Sequence, residues 1–301
     1  MIIGGFPKKN IYIYLLKNPK KKKKILLNGR SSLAMILKFL KVKKILIPFY
    51  ICNSVINVLE NLKISYEFYP IDQSLKPIIN KKKREISTLV VPFFGIVKIK
   101  HQKNFIYDLS NSFFYKKKSN SLYFDSIRKF FNVNFGSNLT QKCFFKDSKK
   151  EINLNFDVPK NLKTFRSNED KHFIYYKDVS DKIYTEYYHL NFSKIKKKRE
   201  VNFKIYHKFL KNMNFLEINL KEVNGPLYYP FLIENGLNLK KKLNNQKIFN
   251  PILWQEILLR KNLDKFPFEK NLVKNLVLLP ISETIILKKI KKIVSFIYKN
   301  I

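Results

Sequence analysis

The sequence predicts an α/β protein with a mostly parallel sheet, and three observations lead to this fold class. The 301-residue chain is 45% hydrophobic, which is enough for a full-sized core. Residues 44–69 have the pattern strand, helix, strand, which is typical of a right-handed parallel crossover. Two further apolar runs, at residues 86–95 and 104–114, have the composition of buried strands.

The individual elements follow from local patterns. Leu33, Ile36, Leu37 and Leu40 recur at helical spacing and predict a helix that begins near Ser31. Strands are expected at residues 11–16, 44–52, 64–69, 86–95, 104–114, 215–220, 227–233 and 276–279, and helical or turn segments at 54–62, 194–212, 237–246, 271–274 and 285–301. We predict a large domain at residues 1–200 and a small C-terminal α/β domain at residues 201–301.

The net charge of +38 suggests nucleic-acid binding, because basic surfaces gain affinity by releasing counterions from phosphates. However, Lys, Asn, Ile, Phe and Tyr are all abundant, whereas Ala occurs only at Ala34 and Gly seven times. A/T-rich codons produce this pattern without any binding role. The basic clusters are spread along the chain, and no zinc-finger or helix-turn-helix pattern accompanies them. We therefore interpret them as solvated surface and do not expect a nucleic-acid partner.

Other classes are disfavoured by what the sequence lacks. The two cysteines, Cys52 and Cys143, have no paired spacing, which fits a reducing cytoplasm without structural disulfides. Four scattered histidines give no metal-ligand spacing, so no metal is expected. No apolar run approaches the length of a membrane span, and the first residues lack a signal-peptide pattern. We expect a cytoplasmic protein.

Lys129 differs from most of the sixty Lys and Arg residues because it lies among aromatic residues and not in a surface cluster. Ser126 lies three positions before it and Gly136 seven positions after it. Apolar surroundings favour the neutral amine, which attacks carbonyl carbons, including the aldehyde of pyridoxal phosphate. The alternative is a lysine with a buried aliphatic stem whose ammonium reaches water.

Two further stretches carry candidate binding residues. Ser31 and Ser32 follow Gly29 at a predicted helix start, where free N–H groups and the helix dipole favour a phosphate. Simple N-capping by serine is the alternative. Asp108 ends a predicted strand, and ligands of open α/β sheets gather at the carboxyl ends of strands. Its alternative role is also a helix N-cap.

Taken in order, these stretches resemble the DegT-type aminotransferases, a sugar aminotransferase-like family of fold-type I pyridoxal-phosphate enzymes. The resemblance covers most of the chain and is to a divergent branch. The residues that carry it are Gly4-Gly5-Phe6, Gly29-Arg30-Ser31-Ser32-Leu33, Pro48-Phe49-Tyr50-Ile51-Cys52, Asp108-Leu109-Ser110-Asn111, Ser126-Ile127-Arg128-Lys129, Lys198-Arg199-Glu200-Val201-Asn202-Phe203 and Leu279-Pro280-Ile281. It implies an aspartate-aminotransferase-like large domain with a small C-terminal domain.

The resemblance also implies roles for individual residues. Lys129 would bind pyridoxal phosphate covalently and shuttle a proton, and Asp108 would hold the pyridinium nitrogen protonated. Asn111 would lie near the phenolic oxygen, where the family has glutamine or histidine. The phosphate would be held by Ser31, Ser32 and Ser126. Tyr50 is a candidate for stacking on the ring, although the family position corresponds more closely to Cys52.

The implied activity is amino transfer from an amino acid to a keto group on a nucleotide-linked sugar in surface-polysaccharide biosynthesis, by a homodimer. Asn111, Ser32 and the Asn134-Phe135 pair depart from the family pattern. These departures leave open a second hypothesis, a catalytically lapsed member that serves as a binding or assembly protein. A basic nucleic-acid-binding protein is the third hypothesis.

Overall fold

A computed structural model describes residues 25–80, 83, 85–131, 133, 136–143, 174 and 187–301. The expectations for the motif Gly4-Gly5-Phe6 and for a strand at residues 11–16 lie outside the described residues. Among those described, no helix has the length and apolar composition needed to cross a bilayer.

Strands and α-helices alternate from β1 to β3, and β4 to β7 then follow with no α-helix between them among the described residues. The strands are β1 (Ile25–Leu26), β2 (Lys44–Pro48), β3 (Ser65–Tyr69), β4 (Ser87–Val90), β5 (Phe105–Leu109), β6 (Leu122–Asp125), β7 (Ser137–Asn138), β8 (Tyr228–Leu232) and β9 (Leu276–Pro280). The helices are α1 (Gly29–Phe39), α2 (Asn53–Asn61), α3 (Phe192–Leu210), α4 (Gly236–Asn245), α5 (Pro267–Asn275) and α6 (Leu287–Tyr298).

Five parallel strands form the main sheet, in the order β3-β2-β4-β5-β6. The strand–helix–strand pattern of residues 44–69 is confirmed as the parallel pair β2 and β3 joined by α2. β5 is buried at every position, and every residue in it except Asp108 is apolar or aromatic. The predicted α/β class with a mostly parallel sheet is confirmed.

The first helix packs its N-terminus beside the carboxyl end of β6. Asn28 caps this helix, because its side chain accepts the Ser31 N–H at 2.9 Å. Gly29 approaches β6 closely, since a Cβ there would lie 3.5 Å from the Phe124 ring and 3.6 Å from the Asp125 carbonyl oxygen. The helix therefore begins two residues before Ser31, and neither serine is the cap.

The C-terminal part of the chain packs helices on a two-stranded antiparallel sheet, β8 and β9. The long helix α3 lies against it, and Asn202 on this helix donates to the carbonyls of Ile281, Ser282 and Ile285. The domain boundary expected at residue 200 falls inside α3, so the helix belongs to both predicted segments. The division into two domains stays a prediction.

The strand predicted at residues 215–220 is wrong, because this segment has no strand pairing. The Asn214 side chain replaces part of the backbone hydrogen bonding that a strand would make, because its Oδ1 accepts the N–H groups of Leu216 and Leu232. The Glu217 N–H donates instead to the Gln73 carbonyl at 3.1 Å. A side chain and a carbonyl from a distant loop therefore satisfy backbone N–H groups that a strand would pair.

Candidate active site

Lys129 lies on a short 3-10 turn, Ile127–Lys129, directly after β6. The Ile127 N–H donates to the Gly136 carbonyl at 2.9 Å, and Gly136 has a φ of +122°, a conformation that L side chains rarely adopt. Lys129 is half-buried, and its Nζ donates to Asn111 Oδ1 at 3.4 Å. The structure therefore brings the predicted amine and the predicted amide together.

Asp108 lies on β5 and is 5% exposed. Its Oδ1 accepts the Ser110 N–H at 2.8 Å. Burial raises the pKa of Asp108, while the positive charge of Lys129 and the hydrogen bonding by Ser110 partly offset this rise. Because β5 pairs Asp108 with Phe124 on β6, the register fixes this carboxylate at the sheet edge from which the Lys129 turn departs.

Cys52 belongs to the same electrostatic cluster as Lys129 and Asp108. Burial raises the pKa of the Cys52 thiol, the Lys129 charge lowers it, and the Asp108 charge raises it. The thiol lies 2.8 Å from the Ser54 hydroxyl. An amine, a carboxylate and a thiol thus converge at the carboxyl edge of the sheet, where ligands of such sheets bind.

Tyr50 has a different environment from Cys52. It is 1% exposed, and its ring packs on Trp254 at 4.7 Å and on Phe93 at 5.6 Å between ring centroids. Burial raises its pKa, and the charged group that acts on it is Glu256. Among the described residues, none of these contacts involves the Lys129 cluster. The structure therefore favours Cys52 over Tyr50 as the residue of this loop next to the candidate site.

The proposed phosphate cradle is brought together only in part. Gly29 at the start of α1 lies against Asp125 at the end of β6. The residue that follows Asp125 is Ser126, which is buried. The two other serines direct their hydroxyls to protein acceptors. Ser31 Oγ donates to Asn28 Oδ1 at 3.0 Å, and Ser32 Oγ donates to Ser137 Oγ at 2.8 Å. The helix start and Ser126 are thus better placed for an anion than the hydroxyls of Ser31 and Ser32.

Two arginines that sequence reasoning did not assign to the site hold the surrounding loops. Arg199 on α3 donates to the Phe130 carbonyl at 3.3 Å, directly after Lys129. Arg260 donates to the carbonyls of Phe49 and Ile51 at 2.5 and 2.6 Å, on either side of Tyr50. Arg199 lies in one of the stretches that carry the resemblance, but no local pattern indicates the contacts of either arginine, because each acts on a segment far away in the chain.

Comparison with solved structures gives relatives of this architecture. A DegT DnrJ EryC1 StrS aminotransferase from Brucella abortus is 14% identical, with a TM-score of 0.63, covering 92% of this chain and 85% of that one. The sugar aminotransferase CalS13 from Micromonospora echinospora is 10% identical, with a TM-score of 0.69 and coverages of 93% and 87%. PseC of Helicobacter pylori, an aminotransferase involved in the biosynthesis of pseudoaminic acid, is 12% identical, with a TM-score of 0.61 and coverages of 91% and 85%.

No protein-family model and no curated protein matches the sequence. At the identities of the solved structures, the likeness establishes the fold. The predicted aspartate-aminotransferase-like, fold-type I architecture is confirmed over more than nine-tenths of the chain. This chain has the fold of the DegT-type sugar aminotransferases.

Proposed function

We propose that this chain is a pyridoxal-phosphate-dependent aminotransferase that acts on a keto sugar. The observation that carries the proposal is the convergence of the Lys129 amine, the Asp108 carboxylate and the Asn111 amide at one edge of the parallel sheet. The fold supports it, because the solved structures with this architecture include sugar aminotransferases. A lysine with a purely structural role would not require a buried carboxylate close enough to interact with it electrostatically.

The residues fit the cofactor in two respects. Asp108 is a buried carboxylate, and its Oδ1 accepts the Ser110 N–H. Lys129 and Asp108 act on each other electrostatically, yet no direct ion pair joins them in the described part of the chain. Each group therefore keeps a binding capacity that a ring with a cationic nitrogen and an aldehyde would use. When bound, pyridoxal phosphate supplies an electron sink for the substrate carbanion.

The roles of the protein groups follow from their positions. Asp108 would keep the ring nitrogen protonated, because a buried carboxylate gains from a cationic partner. Lys129 would bind the cofactor through its amine and then accept and return a proton at Nζ. Asn111 would donate an amide hydrogen to the phenolic oxygen, and Cys52 would lie beside the ring. Ser126 and the N–H groups at the start of α1 would hold the phosphate.

We propose as substrates an amino acid donor, such as glutamate, and a keto group on a nucleotide-linked sugar in surface-polysaccharide biosynthesis. The net charge of +38 supports a phosphorylated acceptor, because a basic surface raises the association rate of anions. We further propose that the enzyme works in the cytoplasm as a homodimer, with a large domain at residues 1–200 and a small domain at 201–301.

The test is the visible absorbance band that a lysine-bound cofactor gives. The purified protein incubated with pyridoxal phosphate should be yellow, Lys129→Ala should lack the band, and Lys98→Ala, a change at an exposed lysine, should keep it. A screen of amino acids should then find one that bleaches the band by converting the cofactor to its amine form.

Three results would contradict this proposal. A band that survives in Lys129→Ala would remove the assigned nucleophile. A coloured protein that no amino acid converts would support the catalytically lapsed hypothesis. A colourless protein that shifts labelled DNA with a steep salt dependence would support the nucleic-acid hypothesis.

A further inference from the structure

Arg199 is the most enclosed arginine near the candidate site and bonds to three separate segments. It is 3% exposed on α3. One guanidinium nitrogen donates to the Pro226 and Leu227 carbonyls at 3.4 and 3.2 Å, and the other donates to the Phe130 carbonyl at 3.3 Å. The second nitrogen also lies 3.5 Å from Glu283 Oε2, and the guanidinium carbon is 5.3 Å from the centre of the Phe130 ring.

The turn that receives this arginine is a single short 3-10 turn. It spans three residues, and the Phe130 and Phe131 N–H groups donate to the Ile127 carbonyl at 3.1 and 3.0 Å, whereas the Lys129 N–H bonds to the Ser126 carbonyl at a longer 3.4 Å. The Phe130 carbonyl follows the Lys129 side chain by one residue. Because 3-10 hydrogen bonds have poorer geometry than α-helical ones, a further bond at the Phe130 carbonyl helps to fix the direction in which the Lys129 side chain leaves the backbone.

Burying an arginine costs desolvation free energy, so packing alone does not account for an arginine at this position. Burial lowers the pKa of Arg199, and its Nε is buried without a hydrogen-bond partner among the described residues. Buried ionic groups can often be replaced by apolar side chains without loss of stability. A forked donor, however, can reach carbonyls on separate segments at once, which an apolar side chain cannot do.

We propose that Arg199 is a positioning residue for Lys129, holding the turn after β6 against the segment that leads into β8. This inference rests on the proposed function, in which Lys129 captures pyridoxal phosphate. Arg199 would not touch the cofactor. It would act through the Phe130 backbone, setting where the amine lies relative to Asp108.

The chain provides a matched control on the same helix. Asn202 is fully buried three residues further along α3 and also donates to three carbonyls, but these belong to residues 281, 282 and 285 and not to the Lys129 turn. Arg199→Met and Asn202→Leu therefore remove comparable numbers of buried bonds. Arg199→Lys keeps the charge but loses the fork, so it should retain only part of the restraint.

Two readouts are measured on each variant. The first is amide hydrogen exchange of the peptide covering residues 126–131 in the cofactor-free protein. The second is the rate at which pyridoxal phosphate becomes attached to Lys129, trapped by borohydride and quantified by peptide mass spectrometry. We expect Arg199→Met to speed exchange and to slow capture about tenfold, equivalent to about 1.4 kcal/mol. Arg199→Lys should fall between Arg199→Met and the wild type, and Asn202→Leu should leave both quantities near wild type.

Equal values for Arg199→Met and Asn202→Leu would overturn the proposal. If Arg199→Met does not fold, the test is made with Arg199→Lys. Wild-type values of both the exchange rate and the capture rate in Arg199→Lys would overturn the proposal, and changes in both rates would support it. Failure of the proposed function is distinguishable, because the wild type itself would then not attach the cofactor at Lys129.

Discussion

Replacing Asp108 by asparagine should separate cofactor binding from folding. The amide can still accept the Ser110 N–H, but the negative charge that would face a cationic ring nitrogen is lost. Hydrogen bonds to charged groups contribute about 1.5–3 kcal/mol, so Asp108→Asn should weaken pyridoxal phosphate binding about 10- to 150-fold. Burial raises the pKa of Asp108, so a neutral amide should not lower the thermal stability of the cofactor-free protein.

Asp125 is a matched control for this experiment. It is 1% exposed at the end of the neighbouring strand β6, but its two oxygens accept the Asn138 N–H at 2.8 Å and the Asn138 amide group at 3.0 Å. Asp125→Asn should therefore cost about 1–3 kcal/mol of stability and leave cofactor affinity within about threefold of wild type. Fluorescence titration and thermal unfolding measure the two quantities. Equal cofactor affinity in Asp108→Asn and the wild type would refute the assigned role.

Two further predictions concern regions outside the proposed cofactor contacts. Lys240 is 1% exposed and donates to the carbonyls of residues 273 and 274, and burial lowers its pKa to about 8. Between about pH 8 and 10.5 the unfolded state retains a proton that the folded state has lost. As the pH increases through this range, the free energy of unfolding of the wild type should therefore rise by about 1–2 kcal/mol relative to that of Lys240→Met, after allowance for solvent screening. Denaturant titrations that give a pH-independent difference between the two proteins would exclude this. Arg260→Met should loosen the loop at residues 49–53 and speed thiol labelling of Cys52 about tenfold, with buried Cys143 as the internal reference. An unchanged labelling ratio would show that this arginine does not hold the loop.

Much of the parallel sheet could be predicted because its signals are local. The apolar residues 89–91 include the end of β4, and the apolar residues 105–107 begin β5, which is followed by the polar residues 110–112. Asp108 was identifiable from its position at the end of such a run, and Lys129 from its aromatic neighbours. Both residues needed only short-range pattern and the general rule on where ligands bind in open sheets.

The remaining features depend on contacts between distant segments. Asn28, and not Ser31, caps the first helix, because the chain turns two residues earlier to bring Gly29 against β6. The hydroxyl of Ser32 bonds to Ser137, 105 positions away, which no local pattern indicates. Cys52 acts on Lys129 only because the loop after β2 and the turn after β6 meet at one sheet edge. Sequence position alone left Tyr50 and Cys52 as competing candidates.

The most direct test of the account is the location of the captured cofactor. The wild-type protein is incubated with pyridoxal phosphate, reduced with borohydride and digested, and the modified lysines are identified by mass spectrometry. With 54 lysines in the chain, non-specific attachment would spread the label over many surface peptides. The account predicts one dominant modified residue, Lys129. A label distributed among exposed lysines, with Lys129 unmodified, would contradict it.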